Sequence, residues 1–574
     1  MFKNQPLAFS RTLGRSALAG LLLCGVAGAA LAAPRAADPR DAKIQMMEQQ
    51  LQQMNAELTQ LRASGGTSDE KLSAIQAQMD AFAKDMADLK GASEAATADI
   101  LTLKAPPAGN AVTATLGNGK PTFATADGRF TANIKSVMQF DAAYYNQDAV
   151  GPVNTDFRRS GSGSGAEAAH ARQLNSGTTF RRARLGLDGK VFGDFEYGAI
   201  YEFGGSGGED GGHIHELWLQ YSALKPFHIK VGAFEPIIGM QASASTGSLL
   251  MMERPDAAEV SRNVAAGDSR SALQIYGNGD IGAGGDTGIG AYWLASAALT
   301  GNTVGTINST GGSTAQPFGE QYAVIGRAAI APFSGNDWLV HLGVHGQYVM
   351  KPNNSGPTTT GILAAKQYSA QFRDRPESRV DATRLVDTGS IDAKHVSEAA
   401  VEAGAQYHNF FVESEYFRYG VNRYVNPTNL PDPSFHGWYV EGSWILTGET
   451  RRYNRASGAF DGPAVNAPFN LSAGTWGAFE LAARYSDLNL NYHQGTLGTA
   501  ATPDAIRGGE QKILTVGMNW YLNPTIRFMI NYQHVKVDRL APTADFGSAT
   551  GTLPVGAQIG QTFDTISLRS QLQF

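Results

Sequence analysis

The chain has 574 residues, 46 Lys plus Arg against 52 Asp plus Glu, and a single cysteine. An acidic balance is a poor match for nucleic acid, and one cysteine leaves no disulfide framework. The 67 glycines and a charged content of only 17% point to an all-β chain full of turns.

Residues 1–32 read as a secretory signal. Lys3, Arg11 and Arg15 come first, an apolar stretch runs from Ala17 to Leu31, and Ala30-Leu31-Ala32 offers small residues for cleavage. Its removal takes Cys24 away; 46 less three leaves 43 basic residues against 52, a charge of −9. No later run of about 18 uncharged apolar residues exists, so no transmembrane helix is expected. Membrane strands, which need only about 9–11 residues with apolar side chains at alternate positions, stay open.

Residues 33–104 carry a heptad pattern. Its core positions are Ile44, Met47, Leu51, Met54, Leu58 and Leu61, then Leu72, Ile75, Met79, Phe82, Met86 and Leu89. Counting sevens carries the register through Gly65-Gly66, so a parallel coiled coil is expected, with a hairpin folded at the glycines as the alternative. Such a coil of about 46 residues is about 70 Å long. Its expected place is the periplasm and its expected task oligomerisation, with contact to the cell wall as a further role. Residues 105–126 read as a linker opened by the Pro/Gly stretch 105–109.

From 127 to 574 the period falls from 3.5 to 2. Phe130, Ala132, Ile134, Met138, Phe140 and Ala142 share one face, and Thr131, Asn133, Lys135, Gln139 and Asp141 the other. The alternation recurs at Leu217/Leu219/Tyr221, Val340/Leu342/Val344, Val401/Ala403/Ala405/Tyr407, Phe479/Leu481/Ala483/Tyr485 and Ile566/Leu568/Leu572/Phe574. A soluble sandwich also alternates. The export signal, the many strands, the terminal Phe574 and aromatic residues at the stripe ends favour an antiparallel barrel in the outer membrane of a Gram-negative cell.

Several motifs resemble the phosphate-selective porin O/P family. They are Phe180-Arg181-Arg182-Ala183-Arg184-Leu185, Val231-Gly232 through Pro236, Glu253-Arg254, and Leu446-Thr447-Gly448-Glu449 with Arg451 and Tyr453. Gly477-Ala478-Phe479-Glu480-Leu481, Gly517-Met518-Asn519-Trp520-Tyr521 and the terminal aromatic follow in the same order. The resemblance implies a barrel of 16 strands, a homotrimer, and passive passage of phosphate or related anions, including polyphosphate, without a cofactor. It places Arg181 and Arg182 on an arginine ladder, Arg254 just after an inward-folded loop, and Ser245 and Thr246 as hydroxyl donors on that loop. Val137, Ala242 and His215 depart from an arginine, a lysine and a carboxylate of the family pattern.

Strand parity supplies a count independent of the resemblance. Lys135, Arg182, Arg184, Lys230, Arg484, Arg527 and Arg569 fall on inward faces, against Asp141, Asp188, Glu216, Glu402, Glu413, Glu415, Glu441 and Glu480. Seven against eight is no general positive excess, so anion selection requires clustering of the arginines. Arg182 and Arg184, two residues apart, start such a file, and guanidinium suits it by its planar fork and permanent charge. The competing reading makes them wall braces paired with Glu216, Glu402 or Asp188. Glu253-Arg254 reads as a salt bridge tying down the inward loop. His213 and His215 fall short of a metal set, and no G-x-S-x-G elbow or H-E-x-x-H motif suggests an enzyme. The expectation is an outer-membrane anion porin, with Arg181, Arg182, Arg184, Arg254, Ser245 and Thr246 as the anion contacts. A general or carbohydrate porin and a barrel-anchored tether are the alternatives; Trp218, Phe417 and Tyr439 are too scattered for a sugar slide.

Overall fold

In the computed structural model the chain divides into two units, residues 1–108 and 109–574. The structure describes scattered positions between residues 49 and 88, and then 111–117, 119–147, 173–205, 212–267, 269–281, 290–304, 320–335, 337–353, 368–424, 430–541 and 556–574. In the first unit the described residues from Gln49 to Asp88 are α-helical. The heptad core positions, the signal segment and the glycine break lie outside the described residues.

The second unit is a closed antiparallel barrel of 16 strands. Its first strand, Thr131–Gln147, pairs with the second, Gly177–Val191, on one side. The last strand, Thr562–Gln573, closes the ring against the first, Phe563 facing Gln147 and Gln573 facing Val137. Between them, in chain order, run Phe195–Glu202, His213–Tyr221, Phe227–Phe234, Arg270–Asp280, Gly290–Thr303, Tyr322–Ser334 and Trp338–Lys351. His395–Tyr407, Phe410–Asn422, Ser434–Ile445, Ala478–Tyr492, Ile506–Tyr521 and Ile526–Asp538 complete the wall. Part of the expected linker is structured: Val112–Gly117 and Lys120–Thr125 form a hairpin whose second strand joins the barrel at Thr131–Asn133. The alternation Thr122-Phe123-Ala124 is too short to stand out in a Pro/Gly-rich stretch.

The burial pattern is inverted relative to a soluble protein. Leu217 is 54% and Val344 53% exposed, whereas Glu480 and Gln139 are 0% exposed. Closure gives every wall strand two hydrogen-bonded neighbours, the condition lipid imposes. Outward aromatic rings gather at two levels. Phe410 stacks on Trp444 at 5.8 Å and Phe479 on Trp520 at 5.7 Å near one rim, while Trp438 meets Tyr485 at 5.6 Å farther up. Trp438 and Trp444 are six residues apart on one strand, about 20 Å, close to the height of a barrel's apolar band. Among the described residues no helix is long and apolar enough to cross a membrane.

Most connections at one end are tight, as at 192–194, 408–409 and 522–525, whereas those at the other end are long. By the usual asymmetry the short end is periplasmic. Three long connections position the site. Residues 235–269 enter the lumen from the long-loop end and carry two short helices, Met240–Ser243 and Asp256–Ser261. The described residues 368–394 belong to the next long connection at the same end. From the short-turn end comes 446–477, whose hairpin Arg451–Asn454/Ala459–Pro463 seats Phe460 against Phe411, ring centroids 4.8 Å apart. Gly448 turns the chain into this segment at φ 93°, which explains glycine in the Leu446–Glu449 motif.

Candidate functional site

The sequence Phe180-Arg181-Arg182-Ala183-Arg184 would send Arg181 to the lipid face by strict alternation. The strand avoids this with a β-bulge. Gln139 faces Arg182 and Phe140 faces Phe180, so Arg181 is the extra residue and turns inward beside Arg182. A second bulge acts on the fourth strand, where Ile200 faces Glu216 and Tyr201 faces Ile214, leaving His215 inward with Glu216.

Glu253 of the inward loop meets these arginines. Arg181 donates to it through Nε at 2.9 Å and Nη2 at 3.1 Å, and Arg569 through Nη2 at 2.7 Å. Arg182 lies 3.7 Å away and donates to Gln139 at 2.6 Å. Arg569 also grips Asp141 through two bonds of 2.7 Å. Burial would raise the Glu253 carboxyl, but Arg181, Arg182, Arg569 and Arg379 overcome it and hold it well below the usual carboxylate range. Glu253 therefore does tie down the loop, but not through Arg254 as the sequence suggested. Arg254 turns back on its own loop, donating to the carbonyls of Gln241, Ala242 and Ala244 at 3.0, 3.2 and 3.0 Å. Arg184 pairs with Glu202 at 2.6 Å, not with Glu216, Glu402 or Asp188.

The opposite wall is acidic. Glu415 accepts the backbone N–H groups of Met240 and Gln241 at 2.8 and 3.1 Å, so it caps the first loop helix. The Gln241 side chain donates to Glu413 at 2.8 Å and Glu441 at 2.7 Å. Glu402 takes two bonds from Arg327, and Glu480 takes one from Arg451. Parity had counted Glu402, Glu413, Glu415, Glu441 and Glu480 among the charges facing the lumen. They do point inward, but loop backbone, Gln241 and buried arginines cover them.

Among the described residues, two polar cavities are lined by residues of the wall and the inward loop. The upper one, about 200 Å³, is lined by Arg181 and Arg184 from the wall and by Arg262 and Arg270 from the inward loop and the strand after it. Arg373, Arg375, Arg379 and Arg384 come from the loop 352–394. Against these eight arginines stand Glu202, Glu259 and Asp374. The lower cavity, about 750 Å³, is lined by Lys120, Lys135, Arg184, Arg254 and Arg452, with Glu216, Glu235 and Asp461. Ser245 and Thr246 line it as well, and so do all three departures from the family pattern, Val137, Ala242 and His215. Arg184 lines both cavities. Arg182 lines neither; its side chain is 3% exposed and braces the wall.

A profile of phosphate-selective porin O and P matches residues 153–559, well over half of the chain. The chain belongs to this family. It is an outer-membrane porin. Porin O of Pseudomonas aeruginosa is 21% identical over 367 residues, covering 63% of this chain and 77% of that protein. An uncharacterized protein of Caulobacter vibrioides is 24% identical over 528 residues, 90% of each chain. Among solved structures, an anion-selective porin from Comamonas acidovorans aligns with a TM-score of 0.39 and 13% identity over 78% of this chain and 100% of that one.

The arginines of loop 352–394 are functional candidates that sequence parity missed, since parity reads only strands. Their signal was present as four arginines within the twelve residues 373–384. His213 and His215 gather no third metal-ligating side chain among the described residues.

Proposed function

We propose that this porin conducts small oxyanions of the phosphate class by passive diffusion, and that Arg184 is the residue every ion passes. The observation that carries the reading is the upper cavity, with eight arginines against three carboxylates, and the position of Arg184, which lines both this cavity and the lower one. A narrow place selects by the fixed groups that line it. Guanidinium offers an oxyanion two parallel donors and keeps its charge at any physiological pH. Arg254, Ser245 and Thr246 then receive the ion on the periplasmic side. The heptads of residues 44–89 and the family support a homotrimer.

Single-channel current in a planar bilayer under a chloride gradient tests this. The expected reversal lies toward the chloride potential, with added phosphate blocking chloride current. Arg184→Ala is expected to weaken that block about tenfold, the loss of one charge-assisted contact at ~1.5 kcal/mol. A cation-selective wild type, or an Arg184→Ala channel with unaltered block, would overturn the assignment.

A further inference from the structure

Beneath the inward loop, on the acidic wall, lies a group of side chains that permeation does not use. His345 of the strand Trp338–Lys351 has a side chain with no exposed surface, and among the described residues neither ring nitrogen has a hydrogen-bond partner. Its Nδ1 is 4.0 Å from Glu402 Oε2 and 4.0 Å from Glu415 Oε1, and its Nε2 is 3.4 Å from Glu398. Glu402 and Glu415 are directly opposite each other on adjacent strands, a like-charge pairing that costs stability when nothing neutralises it. Around this imidazole stand three carboxylates, and among the described residues the one guanidinium bound to any of them is Arg327 on Glu402, with the His341 imidazole 3.7 Å from the same carboxylate. A neutral histidine leaves the group two positive charges short in a dry interior, where uncompensated charge is costly.

We infer that His345, Glu402 and Glu415 hold one divalent transition-metal ion of the zinc type, a structural centre joining three wall strands under the constriction loop. One imidazole nitrogen with two carboxylate oxygens is a donor set such ions accept. Tetrahedral bonds of about 2.0–2.2 Å set neighbouring donors about 3.4 Å apart, so each of the two nitrogen-to-oxygen separations of 4.0 Å closes by about half an ångström when the ion binds. One donor atom from each of the three residues lies within 4.8 Å of the others. The supporting partners are in place. Arg327 holds Glu402, while Met240 N, Gln241 N and the Tyr439 hydroxyl hold Glu415, which fixes both carboxylates as outer partners do in metal sites. Gly239 lies over the group at φ 59°, where a Cβ would stand 2.8 Å from Glu415 Oε1 and 3.1 Å from His345 Cε1. The loop therefore closes the site on its lumen side. The centre would fasten the inward loop to the wall independently of the anion path.

The test uses full-length protein purified from outer membranes, stripped with chelator, reloaded with zinc and desalted. Retained metal is read by mass spectrometry, and crystals are examined by anomalous scattering at the zinc edge. One zinc per protomer is expected, with an anomalous peak between His345, Glu402 and Glu415. His345→Gln, which keeps a polar side chain of similar volume, is expected to weaken zinc binding at least about tenfold. The idea fails if no zinc is retained, if His345→Gln binds it equally, or if that position holds only a water molecule. It also fails if the peak sits on the exposed pairs His493–Asp504 or His534–Asp564. Should the variant not fold, the wild-type anomalous map alone decides.

Discussion

The two sides of the lumen use charge in opposite ways. On the side of the first, second and last strands, arginines converge on one loop carboxylate, Glu253, while Arg181 among them and the nearby Arg184 also line open cavity. On the side of the ninth to thirteenth strands, carboxylates converge on loop donors, Gln241 and the backbone of Met240, and are sealed. One loop thus presents a carboxylate to the cationic wall and N–H donors to the anionic wall. The difference shows how an acidic chain can line its path with positive charge. Net charge is spent on holding the loop, and the field felt by an ion comes from what remains uncovered.

The largest expected effect comes from breaking the cationic side at its hub. Glu253→Gln leaves Arg181, Arg182 and Arg569 buried around an uncharged amide, a change expected to cost about 3–5 kcal/mol. Urea unfolding in detergent reads this loss, and single-channel traces should become noisy as the loop leaves the wall. A variant as stable as wild type would mean that Glu253 does not anchor the loop. Because the carboxyl is held low, its contribution is present at neutral pH and is lost as acid protonates it.

Arg484→Met makes the corresponding cut on the acidic side. Arg484 binds Glu377 at 2.5 Å and Glu441 at 3.2 Å and is 2% exposed. Its loss is expected to cost about 3 kcal/mol while leaving the reversal potential unchanged, since neither cavity includes it or Glu441. A shift toward cations would show that the acidic wall does reach the ion path, and the two-sided description would have to be abandoned.

The barrel was legible because lipid forces strict alternation on every strand, and sixteen strands repeat the pattern. The site was legible only in part. Parity found Arg184 and Lys135 but could not find the bulge that turns Arg181 inward, since a bulge leaves no mark beyond one charged residue on an apolar face. It counted Glu413, Glu415 and Glu441 as facing ions because pairing with a loop 170 or more residues away in sequence is invisible to local periodicity. Loop 352–394 escaped for a related reason: its arginines have no period, and only their density marked them.

The smallest expected effect probes the upper cavity itself, where Asp374 adjusts the field beside His213. Burial pushes the Asp374 carboxyl up to about 7, Arg379 opposing and Glu259 adding to the shift. A carboxyl raised in the folded state favours folding most at low pH. Its contribution falls away between the ordinary value near 4 and about 7, above which both states are ionised. Within the cavity the same titration adds a third negative charge opposite the eight arginines only above about pH 7, since Glu202, Glu259 and Asp374 are the acids that line it. Anion selectivity should therefore decline modestly from pH 6 to pH 8, and Asp374→Asn should flatten that decline while leaving conductance at pH 6 unchanged. The arithmetic is strict: below pH 7 the lining holds two charged carboxylates, above it three, so the surplus of arginines moves from six to five. A slope that survives in Asp374→Asn would assign the titration to another group and leave the cationic side without its pH-dependent member.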